Sequence, residues 1–406
     1  MQHGTARAIR AAKAALVRTP AAKAALARTP RPVMAGAAVA TVWLVLVAAL
    51  PGSSGGGFVN TVSSHLATNG GRVAQERMAV FRVYLSPEGS DGNDGSAPER
   101  AVRSLSAAQR VISADRPRTD VEVRIKQGTY VAPPTYWTTF VPGRTITFLP
   151  LDYEFGEERD GISDRPIFRG DGGKGFWFRA VPQPATQHRD TRLGFYFLQV
   201  ENYSTGGIAF DGGTADTGPR TTAPAAGGPN GNTVYGMVFR NLGSRHVRSG
   251  VGFGAIDLIN SDNNAIQNSS FEYLENSRSS SDEGLIHGVY LSHHSSNNLI
   301  NGNSFYRISG DPIRTRDNSN RNRIFNNTFR QTGANAYLSD WFNTKTGTGR
   351  VECASRANEF YHNRLISGYR EPIDDWWTNP LDADYATRGC GNDGTGRIHA
   401  WDNRRG

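Results

Sequence analysis

Five nine-residue windows of this chain superimpose without gaps: 231–239 GNTVYGMVF, 263–271 NNAIQNSSF, 297–305 NNLINGNSF, 321–329 RNRIFNNTF and 357–365 ANEFYHNRL. Each has asparagine second (Asn232, Asn264, Asn298, Asn322, Asn358) and an apolar residue fourth and ninth. The starts lie 32, 34, 24 and 36 residues apart, as for a rung of about two dozen residues with loops added. Apolar residues two apart share one face of a strand, and asparagine tolerates the left-handed turn between strands. Identical amides stacked in register form hydrogen-bonded ladders. The strands before the windows alternate too: Ile256/Leu258, Val289/Leu291, Ile313/Thr315, Ala336/Leu338. Together these features predict an all-β solenoid, a right-handed parallel β-helix.

Residues 83–109, VYLSPEGSDGNDGSAPERAVRSLSAAQ, with 124–130 RIKQGTY, resemble the opening of secreted pectate-lyase-like β-helix proteins. The resemblance covers roughly residues 82–365 and implies an N-terminal capping helix, placed at 100–112. It does not fix the chemistry, because one fold hosts many activities. The expected organisation is a leader at 1–51, a Gly/Ser-rich linker at 52–81, the β-helix at 82–365 and a C-terminal cap at 366–406. A flexible loop is expected at 212–231.

The formal charge of +8 points to an acidic partner until it is located. Residues 1–50 carry seven basic residues and no acid, leaving +1 for the rest, so nucleic-acid binding loses its support. Within that leader 11–20 and 21–30 are near copies, and Val33 to Leu50 is an apolar run. A basic stretch before such a run reads as an export signal, or as an uncleaved membrane anchor at 33–50. The body is then secreted or extracellular. Cys353 and Cys390 fit an oxidising compartment and are expected to form one bridge.

The 24-residue offset from Asn298 to Asn322 also aligns the preceding strands. His287 falls over Asp311, Tyr290 over Arg314 and His293 over Asp317. Val289 and Ile313 point inward, so Tyr290, Arg314 and Arg316 point outward. Asp257 joins from the previous coil, Tyr337 and Asp340 from the next, and Glu283 and His294 flank the patch. Titratable groups clustered this way mark a candidate site. β-Elimination on a uronic acid needs a cation for the carboxylate and a base near the adjacent proton. Arg314 and Arg316 are candidate cations, with His287, His293 or Tyr290 as base. His293, His294, Tyr337 and Asp340 are candidate substrate contacts. Asp257, Glu283 and Asp311 offer oxygen ligands to calcium, a case in which an arginine would be the base.

Residues 303–340 are similar in layout to alginate and chondroitin lyases of the β-helix class. Asp311 fits that family's acid, Arg316 stands where its lysine base is expected, and Leu338-Ser339-Asp340 replaces its Arg-His-Gly. Only Lys126, Lys174 and Lys345 follow the leader, which argues against a lysine-based pectate lyase. The expectation is a monomeric lyase acting on an acidic polysaccharide. Alternatives are a glycoside hydrolase or epimerase using paired carboxylates, or a non-catalytic carbohydrate-binding β-helix.

Overall fold

The computed structural model describes residues 80–155, 164–182, 192–216, 222–224, 228–278, 281–344 and 352–406. The leader, with its segment 33–50, and all but the last two linker residues lie outside the described residues.

Three parallel sheets of ten, nine and eight strands form the wall of a β-helix. Thr233–Tyr235, Val238–Leu242 and Gly254–Ile259 each pair in parallel with the equivalent strand one rung on: Ala265–Gln267, Ser270–Leu274 and His287–Ser292. The chain therefore visits the three sheets in turn.

The windows account for this packing. Val234, Ile266, Ile300, Ile324 and Phe360 stack in register, wholly buried. Phe239, Phe271, Phe305 and Phe329 form a near-parallel column with ring centroids 5.3, 4.7 and 4.8 Å apart. The window asparagines form the expected ladder, each Oδ1 accepting the previous rung's backbone N–H and Nδ2. A second ladder runs through the seventh position, Asn303, Asn327 and Asn363, and continues to Asn403. First and sixth positions bend the chain with positive φ: Asn263 at 58°, Asn268 at 49°, Gly302 at 69°.

The capping helix is Leu105–Asp115, later than 100–112, because Ser104 Oγ accepts the Ala107 N–H at 3.1 Å and starts it there. It buries Leu105, Ala107, Ala108 and Ile112. The expected loop at 212–231 contains an antiparallel hairpin, Thr214–Asp216 with Thr222–Pro224. Gly213, at φ 67°, makes the turn into it. Within 366–406, Asp374–Thr378, Ile398–Trp401 and Arg404–Arg405 add one strand to each sheet. Cys353 and Cys390 are bonded to each other.

Candidate functional site

Along the outer face of the third sheet, Ala209, Asp257, Tyr290, Arg314 and Ser339 fall in one register column. Alternation along Ile313–Arg316 buries Ile313 and Thr315 and leaves Arg314 and Arg316 half-buried on the outside, as expected. Tyr290 and Arg314 are neighbours one rung apart.

Arg316 is the hub. Its Nε and Nη2 donate to Glu352 at 2.7 and 2.6 Å, and its Nη1 donates to the Tyr290 hydroxyl at 3.0 Å. The guanidinium carbon lies 4.7 Å from the centre of the Trp341 ring. Burial alone would lower the arginine's pKa, but the Tyr290 hydroxyl and the Glu352 carboxylate more than reverse this. Arg316 is thus a fixed cation, and the expectation of an arginine base is corrected. Tyr290 is pushed up by burial, against the pull of Arg316, and keeps its proton at neutral pH.

Arg314 is held differently. Its Nε donates to Ser339 Oγ at 3.1 Å and its Nη2 to Asp311 at 2.8 Å. Its Nη1 has no partner among the described residues and is available to a ligand.

His293 Nδ1 lies 3.0 Å from Asp317 Oδ2, and Asp317 Oδ1 accepts the Cys353 N–H at 3.2 Å. The imidazole is partly exposed while Asp317 is buried. A carboxylate on Nδ1 orients the ring and selects its tautomer, leaving Nε2 as the acceptor nitrogen. His294 follows half-buried, its N–H on the Asp317 carbonyl at 2.8 Å.

His287 is placed beneath this group. It is 1% exposed, with Nδ1 2.6 Å from the Asp311 carbonyl oxygen and its ring centre 5.1 Å from that of Tyr290. Burial, then the charge of Arg314, hold its pKa well below the usual histidine value of 6.5. It is a neutral support for Tyr290, and the partly exposed imidazole of the group is that of His293. Because the unfolded chain gains a proton at His287 below pH 6.5 and the native chain does not, acidification costs stability. Within pH 6.5–4.5, wild type should lose up to about 1.4 kcal/mol more per pH unit than His287→Gln. Denaturant melts across that window measure the difference; parallel slopes would refute it.

The calcium trio is not brought together. Asp311 Oδ1 accepts the backbone N–H groups of Ala334, Asn335 and Ala336 at 2.7–3.1 Å, and its Oδ2 faces Arg314 and Asn335. Glu283 pairs with Arg370. Asp257 is 4% exposed, with no hydrogen bond to Oδ1. Burial, then the nearby Asp211, push its carboxyl well above the usual range. The one cluster of metal-ligand type among the described residues is His293, Asp317 and Glu352, their ligand atoms within 4.8 Å of one another. Calcium needs six or more oxygens, and both Glu352 oxygens already face Arg316, so neither set fits it.

Two expected sugar contacts are also relocated. Tyr337 is 3% exposed, packed against Phe329. Asp340 points inward, where Arg397 binds it with Nε at 2.8 Å and Thr315 Oγ1 donates at 2.9 Å. Glu352 was not anticipated. The 36-residue step from Asn322 to Asn358, applied to Arg316, lands on it.

No family model matches the chain, and no curated protein matches it. Solved structures that resemble it include a rhamnogalacturonan lyase, with a TM-score of 0.47 and 16% identity over 70% of this chain and 68% of that one. An alginate lyase from Paenibacillus sp. str. FPU-7 gives 0.44 and 12%, over 74% and 92%. A tailspike protein mutant of E. coli bacteriophage HK620 gives 0.32 and 12%, over 80% and 57%. These likenesses carry no residue role and no activity to this chain.

Proposed function

We propose that the chain is an exported polysaccharide lyase that cleaves a uronic-acid-containing polymer by β-elimination at the Tyr290 face. The observation that carries this reading is the convergence of a held phenol, a guanidinium with an open Nη1 and an Asp-oriented imidazole. Arg314 Nη1 pairs with the uronate carboxylate and acidifies the adjacent C–H. His293 Nε2 takes that proton. The C–H electron pair becomes the C=C bond, the glycosidic C–O bond breaks, and the Tyr290 O–H supplies the proton to the leaving oxygen. Arg316 and Glu352 fix the phenol. The body acts as a monomer outside the cytoplasm, where its disulfide persists, released or anchored through residues 33–50.

A second reading, glycoside hydrolysis, is favoured by Asp257. It is a buried carboxyl one rung from Tyr290, pushed well above the usual carboxylate range by burial and by Asp211, the direction that general-acid work needs. Cleavage in water enriched in heavy oxygen separates the two. Hydrolysis places the label in the new reducing end at the moment of cleavage; β-elimination yields an unsaturated product that acquires none in that step. Labelled, saturated products would overturn the lyase reading.

A further inference from the structure

A second concave surface, about 920 Å³ in volume, shares no residue with the Tyr290 group. Five arginines line it, Arg245, Arg248, Arg278, Arg307 and Arg370, together with Tyr369. Three of these side chains converge on the buried Glu275, which accepts from Arg245 Nη1 at 2.9 Å, Arg307 Nε at 3.1 Å and the Tyr369 hydroxyl. Burial pushes Glu275 up, yet hydrogen bonds from His246 and Tyr369 and the charges of Arg245 and Arg307 hold it at about 2. This permanent anion fixes two guanidinium groups in place. Arg370 is held by Glu283. Arg248 and Arg278 are exposed and have no partner among the described residues.

The loops presenting these arginines are locked together. Asn276, 1% exposed, accepts the N–H groups of Ser244 and Gly252 at 3.1 and 2.8 Å and donates to the Gly252 and Asp282 carbonyls at 2.9 Å. Gly252 has no room for a side chain, since a Cβ there would lie 2.5 Å from Ile286 Cδ1 and 2.8 Å from Gly243 Cα. The pocket is therefore organised before any ligand arrives, which lowers the ordering cost of binding.

The five guanidinium groups face only three acids here, Glu275, Asp282 and Glu283, although residues 51–406 carry a formal charge of just +1. The cationic character is local to the pocket. Guanidinium forks match carboxylates and sulfates, and the exposed Gln331 amide offers hydrogen bonds to hydroxyls. The volume is at the upper end of the range for a bound ligand larger than a single ion. The single aromatic ring here has its hydroxyl tied to Glu275, so the row of stacking platforms that single-stranded nucleic acid requires is missing.

We propose that this pocket is an accessory binding site for acidic oligosaccharide, taking carboxylate or sulfate groups on Arg248 and Arg278 beside the fixed Arg245–Arg307 pair. The proposal requires binding only and stands whether or not the Tyr290 face catalyses elimination. The test is calorimetric titration of the full chain carrying Arg314→Ala, so that binding at the Tyr290 face is weakened. The probes are an oligogalacturonate, a chondroitin sulfate oligosaccharide, a neutral cello-oligosaccharide and a single-stranded oligonucleotide. At least one acidic saccharide should bind, more weakly at high salt, and the neutral one should not. Adding Arg248→Ala and Arg278→Ala should weaken binding tenfold or more, and these side chains are too exposed to affect folding. Unchanged affinity in the added variants, no binding of either acidic saccharide, or tighter binding of the oligonucleotide would overturn the proposal.

Discussion

Arg314→Ala should lower the rate of polysaccharide cleavage by about 10²–10³-fold, the loss typical when one preorganised donor to a developing anion is removed. Arg314 is the guanidinium of the site with a free nitrogen, since Arg316 is consumed by Glu352 and Tyr290. The substitution leaves the coil standing, because Asp311 still accepts three backbone N–H groups. Initial rates beside a thermal melt check both parts. A loss under threefold with an intact melt would move the carboxylate contact elsewhere. Arg314→Lys should recover part of the rate by restoring charge without the fork.

Asn298→Leu should destabilise the protein by about 4 kcal/mol or more, at the upper end of single-residue effects. Asn298 is 1% exposed in the middle of its ladder. Its Oδ1 accepts the Asn264 N–H and Nδ2 at 2.9 and 2.8 Å, and its own Nδ2 donates to Asn322 Oδ1 and the Ser261 carbonyl at 3.0 and 3.2 Å. Leucine keeps the volume and orphans several buried groups at about 1–3 kcal/mol each. In a solenoid each rung rests on its neighbours, so the coils on either side should melt separately, with a lower denaturant slope. An unchanged denaturant midpoint would show that the ladder is not what binds the rungs.

The ladder and the register were legible because the windows repeat without gaps. One offset of 24 sufficed to set Tyr290 over Arg314 and His293 over Asp317. The second asparagine ladder was equally present, at the seventh window position, but two of its five members there are Met237 and Ser269. Asp340 was misplaced against its own parity. Ala336 and Leu338 inward imply Asp340 inward, and only Arg397, 57 residues on, makes a buried carboxylate tolerable there. His287 is also read from the sequence as a candidate base. Its burial depends on the loop before it and on the Asp311 carbonyl, neither of which alternation describes. Glu352 follows an irregular loop, so its approach to Arg316 is visible only once the 36-residue step is applied.

On the proposed function, the Tyr290 face catalyses β-elimination on a uronic-acid polymer. This is tested most directly by the ultraviolet absorbance of new C=C bonds, recorded for the wild-type chain and Tyr290→Phe on a panel of acidic polysaccharides, with reducing ends counted in parallel. That function predicts absorbance rising in step with reducing ends on at least one polymer for wild type, and a flat trace for the folded variant. Reducing ends without absorbance, no cleavage of any polymer, or a variant as fast as wild type would contradict it.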